Sequence, residues 1–174
     1  MANLSKQKEA MVGYFRAGCK PEGQLTVGLE VEHFLTHTDG APAAFEEVQA
    51  AMLALQQSGD VPLVQDGETV GLRSSGYVLT LEPAAQLEIS ITPQKSVGAL
   101  MAVYEAFAAR LRRALAPLGL RAWNLGYHPT RRAAALPLIP KKRYEVMDRY
   151  LQKRGRHGTQ MMRGTASTQI SVDY

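Results

Sequence analysis

Apolar and polar residues alternate with a period of two along several stretches of this chain. From Leu25 to Leu35, Leu25, Val27, Leu29 and Val31 alternate with Thr26, Gly28, Glu30 and Glu32. Successive side chains of a strand point to opposite faces, so this spacing predicts a half-buried strand with both glutamates on one face. The same period recurs at 86–92, where Leu87, Ile89 and Ile91 oppose Gln86, Glu88, Ser90 and Thr92, and at 165–174, where Ala166, Thr168, Ile170 and Val172 oppose Thr165, Ser167, Gln169, Ser171 and Asp173. Shorter strands are expected at 61–65, 69–72, 77–82 and 121–127. Asp66–Gly67 between the first two is a tight-hairpin dipeptide, because glycine tolerates positive φ.

Between these runs the period lengthens to that of a helix. Val97, Leu100, Met101, Tyr104, Phe107, Ala108, Leu111 and Leu115 mark a helix over 96–118, with Arg110, Arg112 and Arg113 towards its C-terminal end. Helices are also expected at 4–17, 44–57 and 141–153. The segment 154–164, rich in Gly and Arg, reads as a mobile loop. The fold class is therefore α+β: a largely antiparallel sheet with helices on one face and a polar surface on the other. The 174 residues read as one domain, truncated after its last strand.

Composition narrows the function. The chain is 45% hydrophobic, enough for a core, and lacks both a membrane-spanning apolar run and a signal-peptide layout, so a cytoplasmic protein is expected. Cys19 is the only cysteine, which excludes an intrachain disulfide and a thiolate zinc cluster. The net charge of +4 conceals an asymmetry: residues 1–90 hold 5 Lys+Arg and 12 Asp+Glu, and residues 91–174 hold 15 and 4. A basic half suits nucleic acid, a membrane surface or a small anion such as a nucleotide phosphate; dense carboxylates on regular strands favour the last, since a metal–nucleotide site needs both signs close together.

Side chains two apart on a strand lie roughly 7 Å apart, so Glu30 and Glu32 can bracket one hard cation or hold two, and Glu82 and Glu88 extend the array if their strands pair nearby. A lone Glu-x-Glu is more often the wet side of a sheet. His33 falls opposite the glutamates, and neither it nor His37, His128 and His157 forms a metal-ligand pair. No phosphate-cradling glycine loop or dinucleotide fingerprint is present, so a nucleotide here must be held by metal, arginines and sheet side chains.

GLEVEHF at 28–34, LEPAAQLEIS at 81–90, LGYHP at 125–129, IPKKRYEVMDRYL at 139–151 and MMRGTASTQISVDY at 161–174, in this order, resemble the plant-type glutamate–cysteine ligase family, whose catalytic domain is related to glutamine synthetase. The resemblance runs from about Leu25 to Tyr174. It implies a partial glutamine synthetase-like catalytic domain, of which residues 1–174 are the N-terminal portion, inactivity of this portion alone being allowed. It also implies an ATP-dependent ligase that joins the γ-carboxylate of L-glutamate to the amine of L-cysteine, the first step of glutathione biosynthesis. Mg2+, with Mn2+ as a substitute, is the implied cofactor and ATP the co-substrate, with neither nucleic acid nor membrane as partner. The matching positions make Glu30, Glu32, Glu82 and Glu88 metal ligands and place Gln169, Arg163, Thr165, Met161, Arg143 and Tyr144 around substrate or nucleotide; no residue matches a nucleophile or base. The sequence departs from the family in carrying Ala84 and Ala85 where two glycines are common. Alternatives are a relative using another amine, a non-catalytic remnant and a nucleic-acid-binding module.

Overall fold

The computed structural model describes residues 2–174. Seven strands form one sheet in the order β2-β3-β4-β5-β1-β6, with β7 also paired to β1. They are β1 (Val27–His37), β2 (Val61–Gln65), β3 (Glu68–Arg73), β4 (Tyr77–Leu81), β5 (Leu87–Gln94), β6 (Leu120–Trp123) and β7 (Thr168–Val172), and every pairing is antiparallel. The helices are α1 (Ala2–Ala17), α2 (Phe45–Leu53), α3 (Val97–Leu115), α4 (Lys142–Arg154) and α5 (Gly158–Gly164). The α+β class and the antiparallel sheet agree with the alternation in the sequence.

Strand β1 is the axis of the sheet. It pairs with β5 along one edge and divides the other between β7, which takes Val27–Val31, and β6, which takes Phe34–His37. One face of β1, β4 and β5 is closed hydrocarbon: Leu29, Val31, Leu79, Leu81, Leu87, Ile89 and Ile91 are all buried beneath Leu100, Phe107, Leu111 and Leu115 of α3. Those four helix residues recur at spacings of seven, four and four, which puts them on one stripe. Ser96 caps α3 by accepting a hydrogen bond from the Ala99 amide at 3.2 Å. The β2–β3 hairpin turns at Asp66 and Gly67 with φ of 53° and 87°, the doubly positive geometry that an Asp–Gly pair permits.

Four expectations need correction. Residues 158–164 are helix α5, not a loop. Gly158 lies where a Cβ would stand 2.3 Å from the Leu151 carbonyl oxygen, and Gly164 where it would meet the Tyr127 ring at 2.7 Å, so both glycines serve close approach rather than flexibility. Strand β6 stops at Trp123; Tyr127 instead bridges Thr165, and the His128 amide donates to the Gly164 carbonyl. The helices do not simply cover one side: α2 and α3 pack on the core, and α4 and α5, which add Tyr144 and Met162 to it, also border a pocket that Glu32 of the polar face helps to line. Ile170 and Val172 of β7, read as an apolar face, are exposed.

Asp173 ties β7 to the start of β1. Its Oδ2 accepts from Lys20 Nζ at 2.6 Å, from the Thr26 amide at 2.7 Å and from the Thr26 hydroxyl. Lys20 and then Thr26 hold this carboxyl down at about 2. Its stabilising contribution is fully present above the ordinary aspartate value of about 3.9 and is lost as pH falls through about 2. Asp173→Asn is therefore expected to lower stability at neutral pH, with the deficit against wild type shrinking between about pH 4 and about pH 2, as read by urea titrations across that range.

Candidate functional site

The register that buries Leu29 and Val31 turns Glu30 and Glu32 onto the opposite face of β1. Two cross-strand rows result. In one, Thr80, Glu88 and Glu32 are successive partners across β4, β5 and β1; in the other, Val78, Ser90, Glu30 and Gln169 run from β4 to β7. Glu88 Oε1 accepts from the Thr80 hydroxyl at 3.2 Å and from the Ser90 hydroxyl at 2.9 Å. Glu32 is held by Ser167, whose amide and hydroxyl donate to its two oxygens at 2.9 Å each. Gln169 donates to the Ser167 hydroxyl at 3.2 Å.

Glu82 follows the end of β4 in a turn closed by the Ala85 amide donating to the Glu82 carbonyl at 2.9 Å. Ala85 has φ of 60°, the left-handed region that favours the glycine common at this position in the plant pattern. Glu82 Oε2 accepts from the Tyr144 hydroxyl at 3.0 Å, and that hydroxyl accepts from Arg143 Nη2 at 2.9 Å. Burial, then Glu82, pushes the Tyr144 phenol up to about 12, so it keeps its proton at working pH.

Glu32 and Glu88 are directly opposed, an arrangement of like charges that weakens an antiparallel pair. None of the four glutamates forms an ion pair among the described residues. Burial pushes the Glu30 and Glu32 carboxyls up, and Glu88 and Glu82 push both further, with the Ser167 bonds opposing this at Glu32. Glu82 is raised by burial and then by Glu88, against the lowering effects of Tyr144, Lys141 and Arg143. Among the described residues no three His, Cys, Asp or Glu side chains close around a single ion position. The carboxylates are thus an open, oxygen-only surface short of positive charge. That donor chemistry fits a hard divalent cation that keeps several waters and completes its shell with phosphate oxygens.

Beside this surface lies a pocket of about 270 Å³, to which Glu32, Glu82, Arg143, Tyr144, Met161 and Thr165 contribute, with Met147, Met162 and Leu151 as apolar wall. Six of the ten expected site residues therefore meet at one cavity. Glu30, Glu88 and Gln169 lie on the sheet outside its lining. Arg163 does not line the pocket either. Its Nε donates to Asp148 Oδ1 at 3.0 Å, Nη2 to Oδ2 of the same buried carboxylate, and Nη1 to the Leu136 carbonyl at 2.9 Å. This guanidinium joins α5 to α4 and is committed inside the fold, leaving Arg143 as the cation at the pocket.

Sequence reading missed Ser167, Gln86 and Asp148. Ser167 was on the polar set of the last strand, so alternation could have singled it out. Gln86 donates to the Thr165 carbonyl at 2.8 Å and accepts from the Ala84 amide, holding the β4–β5 turn against the segment before β7. No local pattern announces such a long-range bond. His33 is a core residue, its Nδ1 on the Leu87 carbonyl and its Nε2 on the Tyr104 hydroxyl.

The model of Glutamate-cysteine ligase family 2 matches residues 26–174. The chain belongs to this family. Among its relatives, the glutamate–cysteine ligase family members named glutamate–cysteine ligase A, chloroplastic, of Oryza sativa subsp. japonica and glutamate–cysteine ligase, chloroplastic, of Medicago truncatula and Arabidopsis thaliana are 27%, 25% and 24% identical to it over 169 residues. These alignments cover 96% of this chain and 34%, 33% and 32% of the relatives, so the chain spans about a third of their length. Among the described residues no helix is long and apolar enough to cross a membrane.

Two outcomes follow for stability. In metal-free protein Glu88→Gln, which relieves the opposed charges, is expected to raise stability by up to about 1 kcal/mol, and the gain should vanish or reverse in millimolar Mg2+, as calorimetry with and without chelator would read. Asp148→Ala leaves the half-buried Arg163 guanidinium without its carboxylate and should cost about 1–3 kcal/mol in a urea titration.

Proposed function

We propose that this chain carries part of the catalytic site of an ATP- and Mg2+-dependent ligase that joins the γ-carboxylate of L-glutamate to the amine of L-cysteine. The observation that carries this reading is the row of carboxylates with no ion pair among the described residues, opening beside a pocket with Arg143 at it, in a member of the glutamate–cysteine ligase family. The partial fold is read as that of a glutamine synthetase-like catalytic domain and the compartment as the cytoplasm.

In the proposed reaction the γ-phosphoryl group of ATP passes to a γ-carboxylate oxygen of glutamate and ADP leaves. The cysteine amine then attacks the acyl carbon of the γ-glutamyl phosphate, inorganic phosphate departs with the bonding pair, and the nitrogen loses a proton to give γ-glutamylcysteine. Glu30, Glu32, Glu82 and Glu88 are the residues that would hold Mg2+, which when bound supplies the positive charge that phosphoryl transfer needs. Arg143 offers guanidinium donors to a substrate carboxylate or phosphate. Thr165 and Met161 line the cavity on the α5 side, and Gln169 steadies Ser167 and so Glu32. Catalysis on this reading is positioning and electrostatics, with no side-chain nucleophile.

The test is ADP release from Mg-ATP and L-glutamate by the natural full-length protein, with L-cysteine, without it, and with a panel of other amines. Cysteine-dependent release is expected, and Glu30→Gln or Glu88→Gln should cut turnover by at least about a hundredfold while leaving the protein folded. Release with a different amine would replace cysteine as acceptor; no release under any condition from folded protein would overturn the ligase reading, as would near-normal turnover of both variants for the ligand assignment.

A further inference from the structure

Glu82 differs from the other three carboxylates in lying beyond its strand, where ladder pairing no longer aligns it. Its neighbourhood is instead gripped by the segment leading into α4. The Ile139 amide donates to the Pro83 carbonyl at 3.0 Å, Lys141 Nζ to the Leu81 carbonyl at 2.7 Å, and the Tyr144 hydroxyl to Glu82 Oε2 at 3.0 Å. Three consecutive residues, 81 to 83, thus each receive a hydrogen bond from residues 139 to 144. Tyr144 is only 1% exposed, with Lys141 Nζ 5.1 Å and the Arg143 guanidinium carbon 4.8 Å from its ring centroid. The ring is therefore anchored by packing and two cations, so the direction of its O–H bond is set before any ligand arrives.

We infer that Tyr144 is a positioning residue for Glu82: its hydroxyl, itself oriented by Arg143, occupies one carboxylate oxygen and presents the other, Oε1, to the acidic surface. The inference rests on the ion-binding part of the proposed function. It also gives α4 a double task, because the same helix supplies Met147 and Leu151 to the pocket wall. The carboxylate that faces the ion and the wall that faces the substrate are consequently placed by one rigid element. A carboxylate that has lost such a partner samples more orientations, and loss of the group that orients a metal ligand typically weakens the metal by about 10- to 100-fold.

The test is Tyr144→Phe in the natural full-length protein, read three ways: Mn2+ affinity without nucleotide from the electron paramagnetic resonance signal of free Mn2+, the Mg2+ activation constant of turnover, and the thermal midpoint. Mn2+ affinity and the Mg2+ activation constant are expected to weaken by about tenfold. In a Glu82→Gln background the same change should add nothing to the ion constants. A lowered midpoint with unaltered ion constants would reduce Tyr144 to a packing residue and overturn the inference, as would a full tenfold effect persisting without Glu82 or failure of the unmodified protein to bind Mn2+. Should Tyr144→Phe not fold, Arg143→Lys, which keeps the charge at an exposed position, must weaken the same two constants by about twofold; no change there overturns it equally. The Mn2+ titration reads the Tyr144–Glu82 link even if cysteine-dependent ADP release fails, so the two failures are distinguishable.

Discussion

The pairing of β1 with β5 sets almost everything else. Leu29 opposite Ile91 and Val31 opposite Ile89 are locked against α3 by the hydrophobic effect, and that single register leaves Glu32 facing Glu88 on the other side. A slip of one residue would send both glutamates into hydrocarbon, at a cost far beyond what their mutual repulsion recovers. The core therefore enforces an electrostatically unfavourable surface. Repulsion among the carboxylates is tolerated because the energy holding them in place is stored on the opposite face, where it is insensitive to whatever binds.

This division of labour explains what was legible in the sequence. Period-two alternation follows from the pleat, so β1, β5 and the polar placement of Glu30, Glu32 and Glu88 could be read directly, as could the Asp66–Gly67 turn and the stripe of α3. What was hidden depends on contacts between distant segments. Glycines at 158 and 164 carry the same composition signal whether they loosen a loop or allow a helix to touch Leu151 and Tyr127, and only the neighbours decide. Arg163 likewise looks from sequence like a free cation beside the site, yet a buried Asp148 fifteen residues earlier claims it.

The uneven charge of the chain takes on a physical form in the fold. The acidic half supplies sheet carboxylates, while the basic half does not simply face them. Lys141 is buried on a carbonyl with its pKa lowered first of all by burial, Arg163 is half-buried and paired with Asp148, and Arg143 stays at the pocket. A count of basic residues thus overstates the positive charge available to a ligand. The site is more negative than the chain's composition suggests, consistent with a surface that meets anionic phosphates together with a cation rather than alone.

The glycines that bound α5 also limit how this region can change over generations. At 158 any side chain would collide with backbone, which cannot rotate away as a flexible side chain could; at 164 it would collide with an aromatic ring. Tolerated substitutions are then confined to the outward positions of α4 and α5, and their close approach is limited by exclusion rather than by chemistry. Two residues that touch no substrate thereby narrow the set of sequences through which the pocket wall can be reached.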